Sequence, residues 1–320
     1  MRLAVSALAI AVVLSSCAKG AHEEGEGGSP GSGGVSGKGG SGSGGKGTGG
    51  KQGTGGAAGA TTPAGPCDDV GTAKSIQLTG QYDHGKVAVE GSDKDYIFQA
   101  NWWLKFDSFK ETLDGLSFTF NNPNGTSVTS ADNSKCQGCP MGFPSLFIGS
   151  YGQNYTSKGS NLPIVVSSIK SVSTVFSTNS DSIGKSNYNA TYDVWFTKSA
   201  APVTGNDPGA GGAYLMVWQF LPSDRQPRGQ PASSGRTVGN VPGVWNVWYD
   251  PSTDQMPCVS YVSLQPQSSL EFDLNDFIKD AIKGNWGVTS NQYLSIIFAG
   301  FEVWGGADGL QLKKFCANVQ

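Results

Sequence analysis

Ten short runs of β-branched, aromatic and aliphatic residues constrain the fold of residues 67–320 more than any other feature of this 320-residue chain. Clusters of Gly, Pro, Asn, Asp and Ser separate the runs, and this is the turn chemistry found between short antiparallel strands. The pattern predicts strands at residues 75–78, 96–104, 115–121, 164–176, 190–197, 213–220, 244–249, 258–264, 293–301 and 310–317.

One segment has helical periodicity instead. Between Asp273 and Gly284 the apolar residues fall on one helical face, and these two residues are placed to cap its start and its end. Many strands with one helix predict an all-β domain over residues 67–320. We expect an antiparallel two-sheet β-sandwich of the jelly-roll, concanavalin-like kind, with one short helix.

Residues 1–17 have the features of a lipoprotein signal peptide. Arg2 supplies the positive start, residues 3–14 form a short apolar core, and LSSC at 14–17 is a small-residue cleavage site. The apolar core is too short for a permanent membrane-spanning helix. Because the Leu-x-x-Cys ending resembles a bacterial lipobox, we expect a lipid on Cys17 to anchor the protein to the outer membrane or cell surface. An ordinary secretion signal, which would give a secreted protein, is the alternative.

Residues 18–66 are predicted to be a Gly/Ser-rich disordered tether. Nearly half of residues 20–66 are glycine and none is Phe, Trp or Tyr, whereas all eight Trp residues of the chain lie beyond residue 67. Such a segment has too little apolar surface to offset the entropy lost on ordering. It would connect the anchored end of the chain to the folded domain.

Composition also excludes several kinds of partner. The net charge is −3 and no basic cluster occurs, which argues against nucleic-acid binding. The chain has two histidines, one of them in the tether, which leaves little room for a histidine metal site or a Ser-His-Asp triad. We therefore expect neither a metal nor a cofactor, and we expect a monomer.

Five cysteines follow Cys17, and outside the cytoplasm they are predicted to form disulfides, with one left over. The CQGC motif at 136–139 lacks a second pair at a zinc-like interval, so a local loop disulfide is the favoured interpretation. The wider pairing stays open among Cys67, Cys136, Cys139, Cys258 and Cys316.

Glu302 is the first catalytic candidate. It is the one acid in the run AGFEVWGG at 299–306. A carboxyl group held against aromatic walls is poorly solvated as an anion, so its pKa should rise and it could donate a proton near neutral pH. Cleavage of a glycosidic bond needs such a donor. The alternative is an exposed Glu at the end of a strand.

Alternation along two other strands suggests the rest of a site. Asp193 and Trp195 point to one side of their strand, and Tyr214, Met216, Trp218 and Phe220 share one side of theirs. A lone buried carboxylate is costly, so Asp193 makes more sense in a wet cleft than in a core. Trp residues there would bind sugar rings, although Trp more often serves packing alone.

Six motifs in a fixed order resemble glycoside hydrolase family 12, over roughly residues 90–320, and the predicted helix also has a counterpart in that family. The motifs are FPSLF at 143–147, YNATYDVWF at 188–196, YLMVW at 214–218, QPRG at 226–229, WNVW at 245–248 and AGFEVW at 299–304.

This resemblance implies a β-jelly-roll that cleaves β-1,4-glucans or xyloglucan internally and retains the anomeric configuration. It implies that Glu302 is the general acid/base and that Asp193 supports the nucleophile. Trp103, which follows Asn101 in an element similar to the family's Asn-Asn-x-Trp, would stack on a sugar, and Met216 would lie on the cleft floor. Further substrate-binding residues are expected at Trp218, Trp248 and Trp304.

The sequence departs from the family at one catalytic position, because Tyr214 stands where the family has its nucleophilic Glu. A neutral phenol is a weak nucleophile at its usual pKa near 10. Asp193 could act as the second carboxylate and activate a water, which would invert configuration, or it could deprotonate Tyr214 to give a phenolate nucleophile. We therefore predict an extracellular β-1,4-glucan endohydrolase that degrades polysaccharide. The alternative is a catalytically inactive glucan-binding surface lipoprotein with the same cleft.

Overall fold

Two large β-sheets and one helix make up most of the described part of the chain. The computed structural model describes residues 18–20, 67–103, 109–121, 139–152, 155–179, 188–222, 225–252, 256–305 and 307–320. In chain order the strands are β1 (Ala18–Gly20), β2 (Ile76–Leu78), β3 (His84–Ala88), β4 (Asp95–Gln99), β5 (Lys110–Asp114), β6 (Ser117–Asn121), β7 (Ser145–Tyr151), β8 (Tyr155–Thr156), β9 (Ile164–Val165), β10 (Val172–Thr178), β11 (Tyr188–Thr197), β12 (Ala213–Trp218), β13 (Arg225–Pro227), β14 (Gln230–Arg236), β15 (Trp245–Asp250), β16 (Cys258–Ser263), β17 (Ser269–Asp273), β18 (Tyr293–Val303) and β19 (Gln311–Val319), with helix α1 (Leu274–Lys283) between β17 and β18.

The smaller of the two sheets has six strands in the order β17-β10-β19-β6-β5-β2. The larger has eleven, in the order β14-β15-β16-β12-β11-β18-β7-β4-β3, with β8 paired to β7 and β9 paired to β18. Neighbours run antiparallel except β12 and β16, which are parallel. β11 therefore lies in the middle of the larger sheet, with β12 and β18 as its neighbours.

The main hydrophobic core takes side chains from both large sheets. It includes Phe118 and Phe315 of the smaller sheet and Tyr192 and Phe301 of the larger one. The ring centroids of Phe118 and Phe301 lie 5.8 Å apart. These contacts show a sandwich, and the predicted fold class is confirmed.

The single helix matches its sequence signals closely. The Asp273 side chain accepts a hydrogen bond from the Asn275 amide, which satisfies one donor of the first turn, and Gly284 is the C-cap. The buried side chains Leu274, Phe277 and Ile278 lie on its inner face. The predicted helix at residues 273–284 is confirmed.

Strand prediction was less complete. The run at 164–176 is not one strand but β9, a 3-10 turn at Val166–Ser168, and β10. The strands that were not predicted are β1, β3, β5, β7, β8, β13, β14 and β17. Two of them, β5 and β14, have few apolar residues in their sequences KETLD and QPASSGR, whereas β7, with the sequence SLFIGSY, is buried along its whole length. β14 is an edge strand whose exposed side chains need no apolar pattern. Its place in the sheet comes from backbone pairing with β15.

Disulfide bonds involve all four cysteines of the described residues, Cys67, Cys139, Cys258 and Cys316. Cys67 pairs with Cys316, 249 residues away, and so ties the start of the domain to β19. Cys139, the second cysteine of the CQGC motif, is also disulfide-bonded, whereas Cys17 and Cys136 lie outside the described residues.

Removing the long-range disulfide is expected to destabilise the fold substantially. A cross-link that closes so long a loop restricts the unfolded chain, and the double variant Cys67→Ser/Cys316→Ser should lose about 3 to 5 kcal/mol of unfolding free energy. Urea unfolding followed by tryptophan fluorescence measures this loss. An unchanged midpoint and slope would contradict the expectation.

The described residues all belong to one compact unit. Within the segment predicted to be a tether, Ala18–Gly20 forms β1 and pairs antiparallel with β13. Residues 1–17 and 21–66, which carry the signal-peptide and most of the tether predictions, lie outside the described residues. No helix in the described ranges is both long enough and apolar enough to cross a membrane.

Candidate active site

The larger sheet buries side chains on both of its faces. One face contributes to the core described above, and alternate residues build a second hydrophobic cluster. We call this second set the cleft cluster. Its buried members are Ile97, Phe143, Phe147, Tyr151, Trp195, Val203, Tyr214, Met216, Trp218, Cys258, Val262, Ile296, Phe298 and Trp304.

Asp193 belongs to the face that carries the cleft cluster. Its neighbours in sequence, Tyr192 and Val194, pack into the core between the sheets. Across the ladder, Asp193 is paired with Met216 on β12 and with Phe298 on β18, and both residues belong to the cleft cluster. The carboxyl group therefore does not point between the two sheets.

A cavity opens on this face and contains two carboxyl groups, those of Asp193 and Glu302. It encloses about 400 Å³ including its open mouth. The lining residues combine aromatic rings with amide and carboxyl groups, and they are Gln99, Asn101, Trp103, Phe143, Tyr151, Asp193, Trp195, Asn206, Met216, Phe298 and Glu302.

Glu302 is held by Asn189, its partner across β11 and β18. The Asn189 side-chain amide donates to Oε2 of Glu302 at 2.7 Å, and the Glu302 backbone N–H donates to Oδ1 of Asn189 at 3.1 Å. Glu302 is 2% exposed. Burial raises the pKa of Glu302 to about 8, the Asn189 hydrogen bond opposes this, and the negative charge of Asp193 adds to it. The protonated form of the carboxyl group is therefore favoured at neutral pH.

Asp193 is less enclosed than Glu302, with part of the residue exposed and Oδ1 shielded from solvent. Desolvation raises the pKa of Asp193 to about 7, while the Trp195 indole N–H and the Arg228 guanidinium act in the opposite direction. Near neutral pH the protonation states of the two carboxyl groups therefore differ, because the pKa of Glu302 is higher than that of Asp193.

Tyr214 lies beside the cavity but is not among its lining residues. It is 1% exposed, and its ring packs edge-on against Trp195 with centroids 5.5 Å apart. Its hydroxyl group is buried without a hydrogen-bond partner among the described residues. Burial, and then the charges of Asp193 and Asp207, raise the pKa of Tyr214 further above its ordinary value of 10. The environment therefore favours the neutral phenol over the phenolate.

Asn101, Trp103 and Met216, all predicted site residues, do line the cavity. The Trp103 indole N–H donates to the Asn101 side-chain oxygen at 3.1 Å, which fixes the ring relative to the backbone. Asn101 has a positive φ of 50°, a conformation that Asn tolerates better than most residues. Trp102 packs in the core, whereas Trp103 lines the cavity.

The other three tryptophans predicted for the site occupy different positions. Trp218 and Trp304 are buried members of the cleft cluster, with ring centroids 6.3 Å apart. Trp248, on β15, is half-buried and packs against the same cluster. None of the three is among the lining residues of the cavity, so their positions favour packing over direct contact with a sugar at this point of the cleft.

Several residues of the site were missed from the sequence. Asn189 and Arg228 both lie within recognised motifs. Nothing in the sequence around them shows that Asn189 hydrogen-bonds to Glu302 or that the charge of Arg228 acts on Asp193. Gln99 could have been found, because it precedes Asn101 by two residues on a predicted strand. Trp195, which alternation had placed on the side of Asp193, also lines the cavity. Other lining residues that were not predicted are Phe143, Tyr151, Asn206 and Phe298.

One group of potential metal ligands occurs in the described residues, formed by Cys67, Asp69 and Cys316. Both sulfur atoms of this group are joined in the disulfide. Metal-binding cysteines act as thiolates, so the group does not offer a thiolate metal site.

A pair of desolvated carboxyl groups beside aromatic side chains is the arrangement expected of a glycoside hydrolase. The model of the family described as "Glycosyl hydrolase family 12" matches residues 95–320. The chain belongs to glycosyl hydrolase family 12 and is a glycoside hydrolase, which confirms the resemblance noted in the sequence.

Individual relatives agree with this assignment. The chain is 29% identical over 161 residues to "Probable cellulase Cel12b" of Mycobacterium tuberculosis, covering 50% of this chain and 99% of that protein. It is 29% identical over 133 residues to "Xyloglucan-specific endo-beta-1,4-glucanase A" of Emericella nidulans, covering 41% of this chain and 52% of that protein. The fold is similar to the solved "Endoglucanase cel12A from Rhodothermus marinus", with a TM-score of 0.63, 26% identity, and coverage of 77% of this chain and 99% of that one.

Proposed function

We propose that this protein hydrolyses internal bonds of a β-1,4-linked glucan, such as cellulose-like or xyloglucan chains, outside the cell. The observation that carries the proposal is the presence of two carboxyl groups, Asp193 and Glu302, in one cavity lined by Trp103 and Met216. The names of two relatives, a cellulase and a xyloglucan-specific endo-glucanase, support the substrate class. An open cavity on a sheet face suits the middle of a polymer chain.

In the proposed reaction Glu302 is the general acid. It gives its proton to the glycosidic oxygen as the bond from that oxygen to the anomeric carbon breaks. A water attacks the anomeric carbon from the other side and passes a proton to the Asp193 carboxylate. Trp103 positions the sugar ring by stacking.

Tyr214 is not the nucleophile in this scheme. A phenolate route would require Asp193 to remove the proton of a buried phenol whose pKa is raised above 10. A water-based route avoids that cost and leaves the product with inverted configuration at the anomeric carbon. The retaining outcome that the family resemblance implies would need a nucleophilic side chain in place of this attacking water.

Location is part of the same proposal. The lipobox-like ending at Cys17 supports a lipid anchor in the outer membrane or at the cell surface, followed by a flexible tether. Incorporation of labelled fatty acid into the wild-type protein, and its loss in Cys17→Ala, would test the anchor independently of catalysis.

Hydrolysis assays with soluble cellulose derivatives and xyloglucan oligosaccharides test the catalytic proposal. We expect shortened chains, and proton NMR taken during the reaction should show the α-anomer first, as inversion requires. Initial formation of the β-anomer would refute the water-based route. Binding of these glucans without any hydrolysis would refute catalysis and favour the alternative, a glucan-binding protein. The specific argument for that alternative is Tyr214 at the nucleophile position.

The plot of kcat/KM against pH should be bell-shaped, with a narrow maximum. The proposed chemistry needs Asp193 ionised and Glu302 protonated, and their pKa values are about 7 and about 8. Activity should therefore rise as the pH passes about 7 and fall as it passes about 8, with both limbs belonging to the coupled pair. Initial rates at low substrate concentration, measured from about pH 5 to 10, give the profile. Activity that stays constant on lowering the pH from 7 to 5 would contradict the role of Asp193.

A further inference from the structure

A buried guanidinium lies beside Tyr214, and the strand register pairs Tyr214 with Trp195, two residues from Asp193 on the same face of β11. Arg228 follows β13, and its side chain is 1% exposed. Its Nε lies 2.7 Å from Oδ2 of Asp250, and its Nη2 donates to the Met256 carbonyl oxygen. The guanidinium carbon lies 5.8 Å from the centroid of the Tyr214 ring. Arg228 is thus fixed from several sides while it faces the cleft cluster.

The backbone next to Arg228 permits its ion pair with Asp250. Gly229 has a φ of 92°, and a Cβ added there would lie 2.3 Å from the Tyr249 carbonyl oxygen. A glycine therefore allows this segment to approach the end of β15 closely, next to Asp250. Any larger residue would push Arg228 away from its ion-pair partner.

The two cavity carboxyl groups have unequal neighbours. Glu302 receives a hydrogen bond from the neutral Asn189 amide. The ionisable groups that act on or are affected by Asp193 are Arg228, Glu302 on β18, Tyr214 on β12 and Tyr151 on β7. Among these four Arg228 is the cation, because a guanidinium stays protonated even when buried. Arg225, at the start of β13, lies over the Trp304 ring.

We propose that Arg228, clamped by Asp250, is a positioning residue that selects Asp193 rather than Glu302 as the ionised member of the carboxyl pair. Two carboxylates in one desolvated cavity repel each other, so a second negative charge there is costly. A cation beside one of them decides where the negative charge resides. This inference rests on the proposed function, and it explains how one group serves as acid and the other as base.

Asp250 should have the opposite effect to Arg228. Its carboxylate partly neutralises the charge of the guanidinium with which it forms an ion pair. Removing the Arg228 charge should therefore raise the pKa of Asp193, whereas removing the Asp250 charge should lower it. General damage to the fold would not produce shifts of opposite sign.

The experiment measures the titration of Asp193 directly, by NMR of the full-length protein with ¹³C-labelled Asp carboxyl groups, assigned with Asp193→Asn. In Arg228→Met the Asp193 midpoint should rise by about one pH unit, and at low pH the value of kcat/KM should fall by about tenfold. Asp250→Asn should shift the same midpoint downward. Arg228→Lys, which keeps the charge, should restore most of the wild-type titration.

Arg236 provides the matched control. It pairs with Asp280 and lies 5.1 Å from the Trp286 ring centroid, so Arg236→Met also breaks an Arg–Asp pair stacked on an aromatic ring. This variant should leave the Asp193 midpoint unchanged. An Asp193 titration that is the same in wild type and Arg228→Met, with both proteins folded by circular dichroism, would overturn the inference. Because the NMR titration needs no turnover, an inactive wild-type protein would refute the proposed function without deciding the role of Arg228.

Discussion

Glu302→Gln is expected to reduce the turnover of a soluble β-1,4-glucan by about 10³-fold or more while leaving its affinity for the same glucan nearly unchanged. The amide keeps the shape of the side chain, and its oxygen can still accept the hydrogen bond that Asn189 donates at 2.7 Å. It cannot supply a proton to the leaving oxygen. Turnover is measured from the release of reducing ends, and affinity by isothermal titration calorimetry.

A second buried glutamate gives a matched control for this change. Glu111 is fully buried, its pKa is raised well above the usual range by desolvation, and it accepts a hydrogen bond from the Trp102 indole at 2.6 Å. Glu111→Gln therefore removes a buried acidic proton from the core instead of from the cavity. Turnover should stay close to wild type in Glu111→Gln. A similar loss in both variants would point to a general effect on the fold and would contradict a chemical role for Glu302.

Period-two alternation was sufficient to predict the cleft face of the central strands. On β11 and β12 it predicted one shared face for Tyr214, Met216 and Trp218 and a cleft position for Asp193, and the structure has all four away from the core between the sheets. Phe220 was predicted on the same face and lies in that core instead, because β12 ends at Trp218 and the alternation ends with it. Alternation is reliable here because successive side chains of a strand point to opposite faces, and the carboxyl group of Asp193 indicates which of the two faces is not the core. Where a strand is exposed, as in β14, the pattern is absent and the strand was missed.

The depth of each side chain was harder to predict. Tyr214 and Trp218 lie on the predicted face but below the cavity lining, because neighbouring aromatic rings cover them. The hydrogen bonds between Asn189 and Glu302 depend on the register of β11 against β18, and the position of Arg228 depends on its pairing with Asp250. These are contacts between residues distant in sequence, and neither composition nor local spacing specifies them.

Asp193→Asn is expected to lower kcat by about 10³-fold, because the amide cannot accept the proton of the attacking water. Asn has nearly the same size as Asp and carries no charge. The substitution therefore also removes the repulsion that raises the pKa of Glu302. The residual activity should lose its acidic limb near pH 7, and its alkaline limb should shift to lower pH.

Tyr214→Phe distinguishes this expectation from the phenolate route. The Tyr214 hydroxyl group is buried, it has no hydrogen-bond partner among the described residues, and it lies outside the cavity lining. Its removal should therefore change kcat by no more than a few-fold, since no hydrogen bond is lost. A phenolate nucleophile would make Tyr214→Phe at least as damaging as Asp193→Asn. Measuring kcat of both variants on one substrate at pH 7.5, between the expected limbs near 7 and 8, separates the two routes. A large loss of kcat in Tyr214→Phe would assign the nucleophile to the tyrosine. A large loss confined to Asp193→Asn would leave water as the attacking group.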